Sequence, residues 1–320
     1  MLDALWHPGY SSLICRFRFR REGLRFCWRP TLLTANRVGT TNLRWRRSKR
    51  VHCSNLSIIA RSVSSTPFVM DICGGIALAV GLILLPLIAT GFSIAFQPTW
   101  VVRYVQKFQP EVFYIKRTED KVVSLTIDDA PHSDITPQIL DVLRENKCKA
   151  TFFVIGENID LRPDLVERMF NEGHEVANHT MKDVASWRLS PTHFRDQLIE
   201  TEKRIAKYFS VDHSGRQIKW FRPGHGFYSK SMLEIAKAEG YKVALGSLFP
   251  LDTLFTAQAW LISKYLLWRM HKGAIIILHD RQPQKHQTIK VLKMILPVLK
   301  SRGYKVVTLS ELYSWQGEDE

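Results

Sequence analysis

Two adjacent carboxylates, Asp128 and Asp129, follow an apolar, β-branched stretch that ends at Ile127. Like charges side by side disfavour each other's ionised form, and burial strengthens this effect. Such a pair at the end of a strand therefore indicates one of two kinds of site. One is a solvated turn, which the following Ala-Pro favours, and the other is a site whose chemistry uses both charges.

Other ionisable side chains also follow predicted strands. Five of the seven predicted strands deliver such a group at their carboxyl end, namely Asp128 with Asp129, His179, Arg222, Asp252 and His279. Solvated turns would distribute these groups over both ends of the strands, so their convergence favours a functional site over a simple turn.

A divalent ion would explain part of this set. His179 and Asp183 are four residues apart, so on a helical turn they would share one face and could bind one ion together with Asp129. One imidazole nitrogen and two carboxylate oxygens suit zinc first, with cobalt or manganese as alternatives. Three protein ligands leave positions open for water and substrate, as in catalytic sites.

The remaining groups suit proton transfer. Asp128 could take a proton from water beside the ion, and Arg222 could pair with Asp128 and hold it charged. His279 comes from a different strand and could act as a general acid from the other side. The whole set indicates metal-assisted hydrolysis of an amide or an ester.

The elements that must position these groups alternate between strand and helix. Strands are predicted at 122–127, 150–155, 174–178, 217–221, 242–247, 273–278 and 304–309. Strict alternation indicates a parallel sheet, which is either doubly wound or closed into a complete or incomplete barrel. Gly173, Gly240 and Gly303 are predicted to end helices that lead into strands.

The motifs, in this order, resemble the polysaccharide deacetylase family, which is carbohydrate esterase family 4 or the NodB-homology domain. The family's TFDDGP appears as TIDDAP (126–131) and its second motif as HTMKD (179–183). Its third motif appears as RPGHG (222–226) and its fifth as ILH (277–279). The phrases LTIDDAP and NHTMKD also resemble the fungal-type, chitin deacetylase-like branch of the family.

This resemblance implies an α/β fold, an incomplete (β/α)7 barrel, that removes N-acetyl groups from glycans such as chitin. By matching positions, Asp128 would be the base and His279 would protonate the departing amine. The implied ion ligands are Asp129, His179 and Asp183. The backbone N–H of His225 would help to bind the oxyanion, and Ile277 would line the pocket for the acetyl methyl group.

Several positions depart from the family pattern. Ala130 replaces the usual Gly, and Asp183 stands where His is commoner. Gly224-His225 replaces a small residue and an aromatic ring that could stack on substrate. Of the fourth motif only Asp252 fits, which could orient His279 or Arg222. These departures affect the predicted substrate contacts more than the predicted catalytic groups.

The N-terminal part of the chain differs in composition. Residues 1–67 hold thirteen Lys or Arg and two Asp or Glu, so they carry +11 of the net charge of +15. This composition predicts a disordered tail, interpreted as the cytosolic flank of a membrane anchor, an organelle transit peptide, or a segment upstream of a start at Met70. Since the folded body is only weakly basic, nucleic acid is not a predicted partner.

The 25 residues from Ile72 to Phe96 contain no Lys, Arg, Asp or Glu, which predicts a single transmembrane helix over 70–97. A linker over 98–118 and a catalytic domain over 119–315 follow. The excess of basic residues before the helix predicts a lumenal or extracellular catalytic domain. Of five cysteines only Cys148 follows the helix, which excludes a disulfide within the domain.

Three functions fit these residues. The first is a membrane-anchored glycan deacetylase, and the second is a metal-dependent amidohydrolase that acts on a small non-peptide amide. The third is an inactive, glycan-binding membrane protein, which the degenerate fourth motif favours and the presence of Arg222 and His279 opposes.

Overall fold

The structure is a computed structural model that describes residues 67–208, 218–250, 252, 258–280 and 287–316. The predicted tail, apart from Pro67, lies outside these residues. The chain divides into two units, Met1–Ile72 and Cys73–Glu320, and every contact described below lies within the second.

Eight parallel strands form one curled sheet. They are β1 (Val112–Phe113), β2 (Val122–Ala130), β3 (Thr151–Val154), β4 (Glu175–Asn178), β5 (Lys219–Phe221), β6 (Tyr241–Ala244), β7 (Ile275–His279) and β8 (Lys305–Val307). Their order is β1-β6-β5-β4-β3-β2-β7, and β8 pairs with the start of β2. Since no ladder in the described part of the chain joins β1 to β7, the predicted incomplete barrel is confirmed.

Helices connect the strands. They are α1 (Pro67–Phe96), α2 (Thr99–Phe108), α3 (Thr136–Glu145), α4 (Gly156–Leu161), α5 (Pro163–Asn171), α6 (Pro191–Ala206), α7 (Lys230–Ala238), α8 (Ala259–Arg269), α9 (Gln287–Ser301) and α10 (Leu309–Ser314). Two short 3-10 turns lie at Ser186–Arg188 and Gly224–Gly226.

Burial on both faces explains why the strands are apolar throughout. All nine residues of β2 are buried, as expected for a central parallel strand covered by helices. The predicted apolar face of α3, including Ile139, Val142 and Leu143, packs into the same core. Burial of these side chains supplies the main driving force for the fold.

The predicted helix ends are confirmed at three glycines. Gly173, Gly240 and Gly303 have φ angles of 75°, 80° and 79°. This left-handed conformation is easily reached only by glycine, and it lets each chain leave its helix and enter the next strand.

Strand β1 was absent from the sequence-based prediction. It has only two residues and pairs with β6, where Val112 lies opposite Val243. Two residues are too few to show the alternation of polar and apolar side chains from which strands are predicted.

The apolar stretch before the domain does form a helix, α1. Among the residues that the structure describes, however, no helix is both long and apolar enough to cross a membrane. The predicted transmembrane span over 70–97 is therefore not supported.

Candidate active site

The carboxyl ends of the parallel strands bring the predicted groups together. Asp128 on β2 lies opposite His279 on β7 in the strand register. His179 follows β4 and Arg222 follows β5, and these two strands are also neighbours. All four residues are buried or nearly so. The convergence predicted from the strand ends is confirmed for them.

A β-bulge explains how two consecutive carboxylates reach one site. Neighbouring residues of a regular strand point to opposite faces. Here the register of β2 against β3 shifts between Asp128 and Ala130, and Asp129 has a φ of 68°. Bulges re-aim side chains in this way, so that Asp128 contacts Arg222 while Asp129 contacts His179.

Asp128 is paired with Arg222 inside the fold. Arg222 Nη1 donates to Asp128 Oδ1 at 2.6 Å and to Thr126 Oγ1 at 2.7 Å. Its Nε and Nη2 donate to the carbonyls of Ala244 and Leu245, both at 3.2 Å. Burial lowers the pKa of Arg222, and the Asp128 carboxylate opposes that shift. The pairing predicted between these two residues is confirmed.

His279 is held by the carboxylate of Asp252. The Nδ1 atom lies 3.0 Å and 3.1 Å from the two Asp252 oxygens, and a carboxylate only accepts, so Nδ1 carries the proton. Burial would lower the pKa of His279, but Asp252, followed by Asp128 and Asp129, raises it to about 9. The ring is therefore protonated at neutral pH, and its Nε2 lies 4.0 Å from Asp128 Oδ2. This is the arrangement a general acid needs.

His179 faces Asp129. Its Nδ1 donates to the carbonyl of Arg222 at 2.8 Å, which turns Nε2 toward Asp129 Oδ1 at 3.5 Å. Burial would lower the pKa of His179, but the hydrogen bond to Asp129 and the charge of Asp128 produce a net rise. Histidines that bind metals are commonly oriented by such a bond from their other nitrogen.

Asp183 does not join these two residues. The segment after His179 forms bends rather than a helical turn, so the spacing of four residues does not place both side chains on one face. The Asp183 carboxylate is 44% exposed and lies 4.0 Å from His225 Nε2. In the described part of the chain no three His, Cys, Asp or Glu side chains are arranged to hold an ion.

The two remaining predicted residues differ in exposure. Ile277 on β7 is buried, and a Cβ on Gly246 would lie 2.7 Å from its side chain. His225 has a φ of 62° and a 55% exposed side chain. The roles predicted for Ile277 in the acetyl pocket and for the His225 N–H at the oxyanion stay predictions.

Three residues that support the site were absent from the prediction. Thr126 accepts from Arg222, and the Phe153 ring lies 4.0 Å from the Arg222 guanidinium. Asp280 is buried, accepts from the hydroxyl of Thr136, and donates its N–H to the Asp128 carbonyl at 2.8 Å. Asp280 could have been found from the sequence because it is a polar residue directly after His279. Thr126 and Phe153 could not, because the sequence identifies them only as residues of predicted strands.

Comparison with known proteins agrees with this geometry. The polysaccharide deacetylase family model matches residues 115–244. A peptidoglycan-N-acetylglucosamine deacetylase of Bacillus cereus is 33% identical over 199 residues, which cover 62% of this chain and 90% of that protein. The chain belongs to the polysaccharide deacetylase family. The resemblance predicted from the motifs is thus confirmed, while the assignment to its fungal-type branch stays a prediction.

Two further proteins of known activity are similar to this chain. A chitooligosaccharide deacetylase of Bradyrhizobium is 32% identical over 202 residues, covering 60% of this chain and 90% of that protein. A family 4 acetyl xylan esterase from Clostridium thermocellum, solved with a cobalt ion, has a TM-score of 0.55 and 34% identity. That match covers 61% of this chain and 91% of the esterase.

The donor atoms of Asp129 and His179 fit a divalent ion. Ligands about 2.0–2.2 Å from a tetrahedral ion lie roughly 3.4 Å apart, and the observed separation of the two atoms is 3.5 Å. The two donors that are in place are an imidazole nitrogen and a carboxylate oxygen, a pair that zinc and cobalt accept. The predicted third ligand, Asp183, is not in place.

Proposed function

We propose that this protein is a metal-dependent N-deacetylase of acetylated glycans of the chitin or N-acetylglucosamine type. The observation that carries the proposal is the position of Asp128 between the Arg222 guanidinium and the protonated His279 ring. A buried base facing a buried acid is what hydrolysis of an amide requires. The substrates after which the two deacetylase relatives are named support this choice.

In this proposal Asp128 accepts a proton from the attacking water, which adds to the carbonyl carbon of the N-acetyl group. Arg222 pairs with the Asp128 carboxylate and fixes its orientation through the 2.6 Å contact. His279 then donates a proton from Nε2 to the amide nitrogen, and the C–N bond breaks to give acetate and a free amine. Asp252 holds His279 charged and oriented throughout.

A divalent ion, zinc first with cobalt or manganese as alternatives, would be held by Asp129 and His179, with Asp183 as the proposed third ligand. When bound, the ion supplies Lewis-acid polarisation of the substrate carbonyl. The chain's own contribution is the orientation of the His179 ring by the Arg222 carbonyl. We further assign the His225 N–H to the oxyanion and Ile277 to the acetyl methyl group.

The test is acetate release by the full-length protein from N-acetylchitooligosaccharides and peptidoglycan fragments, with and without a chelator. Asp128→Asn should lower kcat by about 10²–10⁴-fold, the usual contribution of a general base. Asp134→Asn, an exposed acid in the loop after β2, is the matched control and should leave the rate unchanged. Turnover that survives in Asp128→Asn would refute the assigned role.

Zinc titration calorimetry tests the ion without any activity. Asp129→Ala should abolish binding, whereas Asp128→Asn should retain it. Asp183→Ala tests the third ligand separately, because the exposed position of this carboxylate requires it to move inward when the ion binds. If Asp183→Ala binds zinc as tightly as the wild type, Asp183 is not a ligand.

The position of Asp183 also favours a second candidate, an inactive glycan-binding protein. That function predicts that zinc-loaded protein binds chitooligosaccharides and releases no acetate from any substrate. Hydrolysis of a small non-peptide amide alone would support the amidohydrolase alternative. The lumenal or extracellular location stays a prediction, which protease protection of the domain in intact membranes would test.

A further inference from the structure

Helix α2 turns its most apolar side away from the domain. Val102 is buried, and the Gln106 side chain binds the backbone of Tyr114 and Ile115 through three hydrogen bonds. The opposite side presents three aromatic rings at a spacing of four residues, Trp100, Tyr104 and Phe108, with exposures of 73%, 62% and 61%. A helix whose only contact is with the barrel would expose polar residues, not aromatic ones, on its outward side.

Helix α8 repeats this arrangement. Trp260, Lys264 and Trp268 are also four residues apart, and all three are exposed. Lys264 Nζ lies 5.0 Å from the Trp260 ring, and the Arg269 guanidinium lies 5.6 Å from the Trp268 ring. Aromatic rings and cations thus alternate along the outward side of this helix.

Residues of both helices and of the end of α1 line one groove of about 560 Å³. Trp268 packs edge-on against Phe96 at 6.3 Å, and Arg269 Nη2 donates to the carbonyl of Gln97 at 3.0 Å. We call the aromatic and basic part of this lining the aromatic–basic surface; it comprises Phe92, Phe96, Trp100, Arg103, Trp268 and Arg269.

The charge of this surface has one sign. The segments that build it, 72–110 and 253–279, contain no Asp or Glu. Arg103, Lys107, Lys264 and Arg269 lie on its two helices. Large exposed apolar patches commonly mark interaction sites, and the two charged residues that line this groove, Arg103 and Arg269, favour an anionic partner.

We propose that the aromatic–basic surface docks on the headgroup layer of an anionic lipid bilayer. Trp and Tyr rings accumulate at membrane–water interfaces. A helix with an aromatic side and flanking Arg or Lys lies flat in that layer, and basic residues beside it attract anionic lipids. The proposal does not depend on the deacetylase chemistry and involves no membrane-spanning helix.

Hydroxyl-radical footprinting of the full-length protein tests this docking residue by residue. Oxidation is measured without lipid, with phosphatidylcholine vesicles, and with vesicles that contain about one-third phosphatidylglycerol. Trp100 and Trp268 should be oxidised at least ~5-fold more slowly with the anionic vesicles. Trp187, which is 48% exposed and lies outside this surface, is the internal control and should not change.

A charge-reversal variant separates this surface from the basic tail, whose net charge of +11 could bind vesicles by itself. Arg103→Glu keeps the tail but should return the oxidation rates of Trp100 and Trp268 to within about twofold of their lipid-free values. Arg188→Glu, an exposed cation beside Trp187, is the matched control and should keep the protection.

Three outcomes would overturn the proposal. In one, the vesicles bind but Trp100 and Trp268 are oxidised at their lipid-free rates. In another, Trp187 is protected to the same degree, which indicates binding through the tail alone. In the last, Trp100 and Trp268 become protected with rising protein concentration in the absence of lipid, which identifies a second copy of the chain as the occupant.

Discussion

The ion pair between Arg222 and Asp128 allows the sharpest test of how this site is stabilised. Both side chains are almost fully buried, at 2% and 5% exposure, and the guanidinium donates to four oxygen acceptors. Arg222→Met removes the cation and leaves the buried Asp128 carboxylate without its hydrogen-bonded partner. Losing one partner of a buried pair costs about 3–5 kcal/mol of unfolding free energy.

Removing both charges should cost much less than the sum of the single losses. Asp128→Asn alone leaves a buried guanidinium that keeps its three other acceptors, so we expect about 2–3 kcal/mol. In the double variant neither charge of this pair remains, and its destabilisation should fall short of the additive sum by about 2 kcal/mol or more. That shortfall is the coupling free energy of a double-mutant cycle.

Urea unfolding of the full-length proteins, followed by tryptophan fluorescence, measures all four corners of this cycle. The exposed pair Lys203 and Glu200 is the matched control, and its cycle should give no measurable coupling because solvent screens both charges. Additive losses at Arg222 and Asp128 would refute the reasoning, because they would show that neither charge depends on the other.

Three further predictions concern the pKa of His279, the pH dependence of stability and the tight turn at Gly273. Asp252→Asn should lower the pKa of His279 from about 9 toward its ordinary value. The alkaline limb of the kcat/KM–pH profile should therefore move to lower pH. If this limb does not move, a group other than His279 produces it. Because this pKa lies above its unfolded value of about 6.5, the stabilisation is complete below pH ~6.5 and is lost as the pH rises toward 9. Wild-type protein should therefore lose up to about 3 kcal/mol over that range in urea titrations, and His279→Gln should lose less. Gly273→Ala would place a Cβ 1.9 Å from the Lys116 carbonyl at a φ of 72°, whereas Gly240→Ala, at a φ of 80°, meets no atom within 4 Å. The first should destabilise by about 2 kcal/mol more than the second, and equal losses of unfolding free energy would exclude the clash.

Much of the fold could be predicted because its signals are local. The seven predicted strands each occur as runs of apolar residues between helical stretches, and Gly173, Gly240 and Gly303 do end helices. The carboxyl ends of parallel strands lie at one edge by topology alone. Residues at the ends of those strands, such as Arg222 and His279, could therefore be placed at this edge from the sequence.

The errors fall where long-range contacts decide the conformation. The spacing of His179 and Asp183 indicated a shared helical face, but the chain bends there, and Asp183 lies toward His225 instead. Strand β1 exists because β6 offers an open edge. Neither feature has a periodic signal in the sequence.

The sequence by itself determined which chemical groups this protein brings to the ends of its strands, because the types and order of residues are read directly and strand alternation is a local property. Only the tertiary structure decided how these groups pair. The bulge at Asp129, the burial of Arg222 against Asp128, and the contact of His279 with Asp252 each join segments far apart in the chain. The physical cause of these contacts is the packing of neighbouring strands and loops. Packing sets the direction of each side chain and how deeply each charged group is buried.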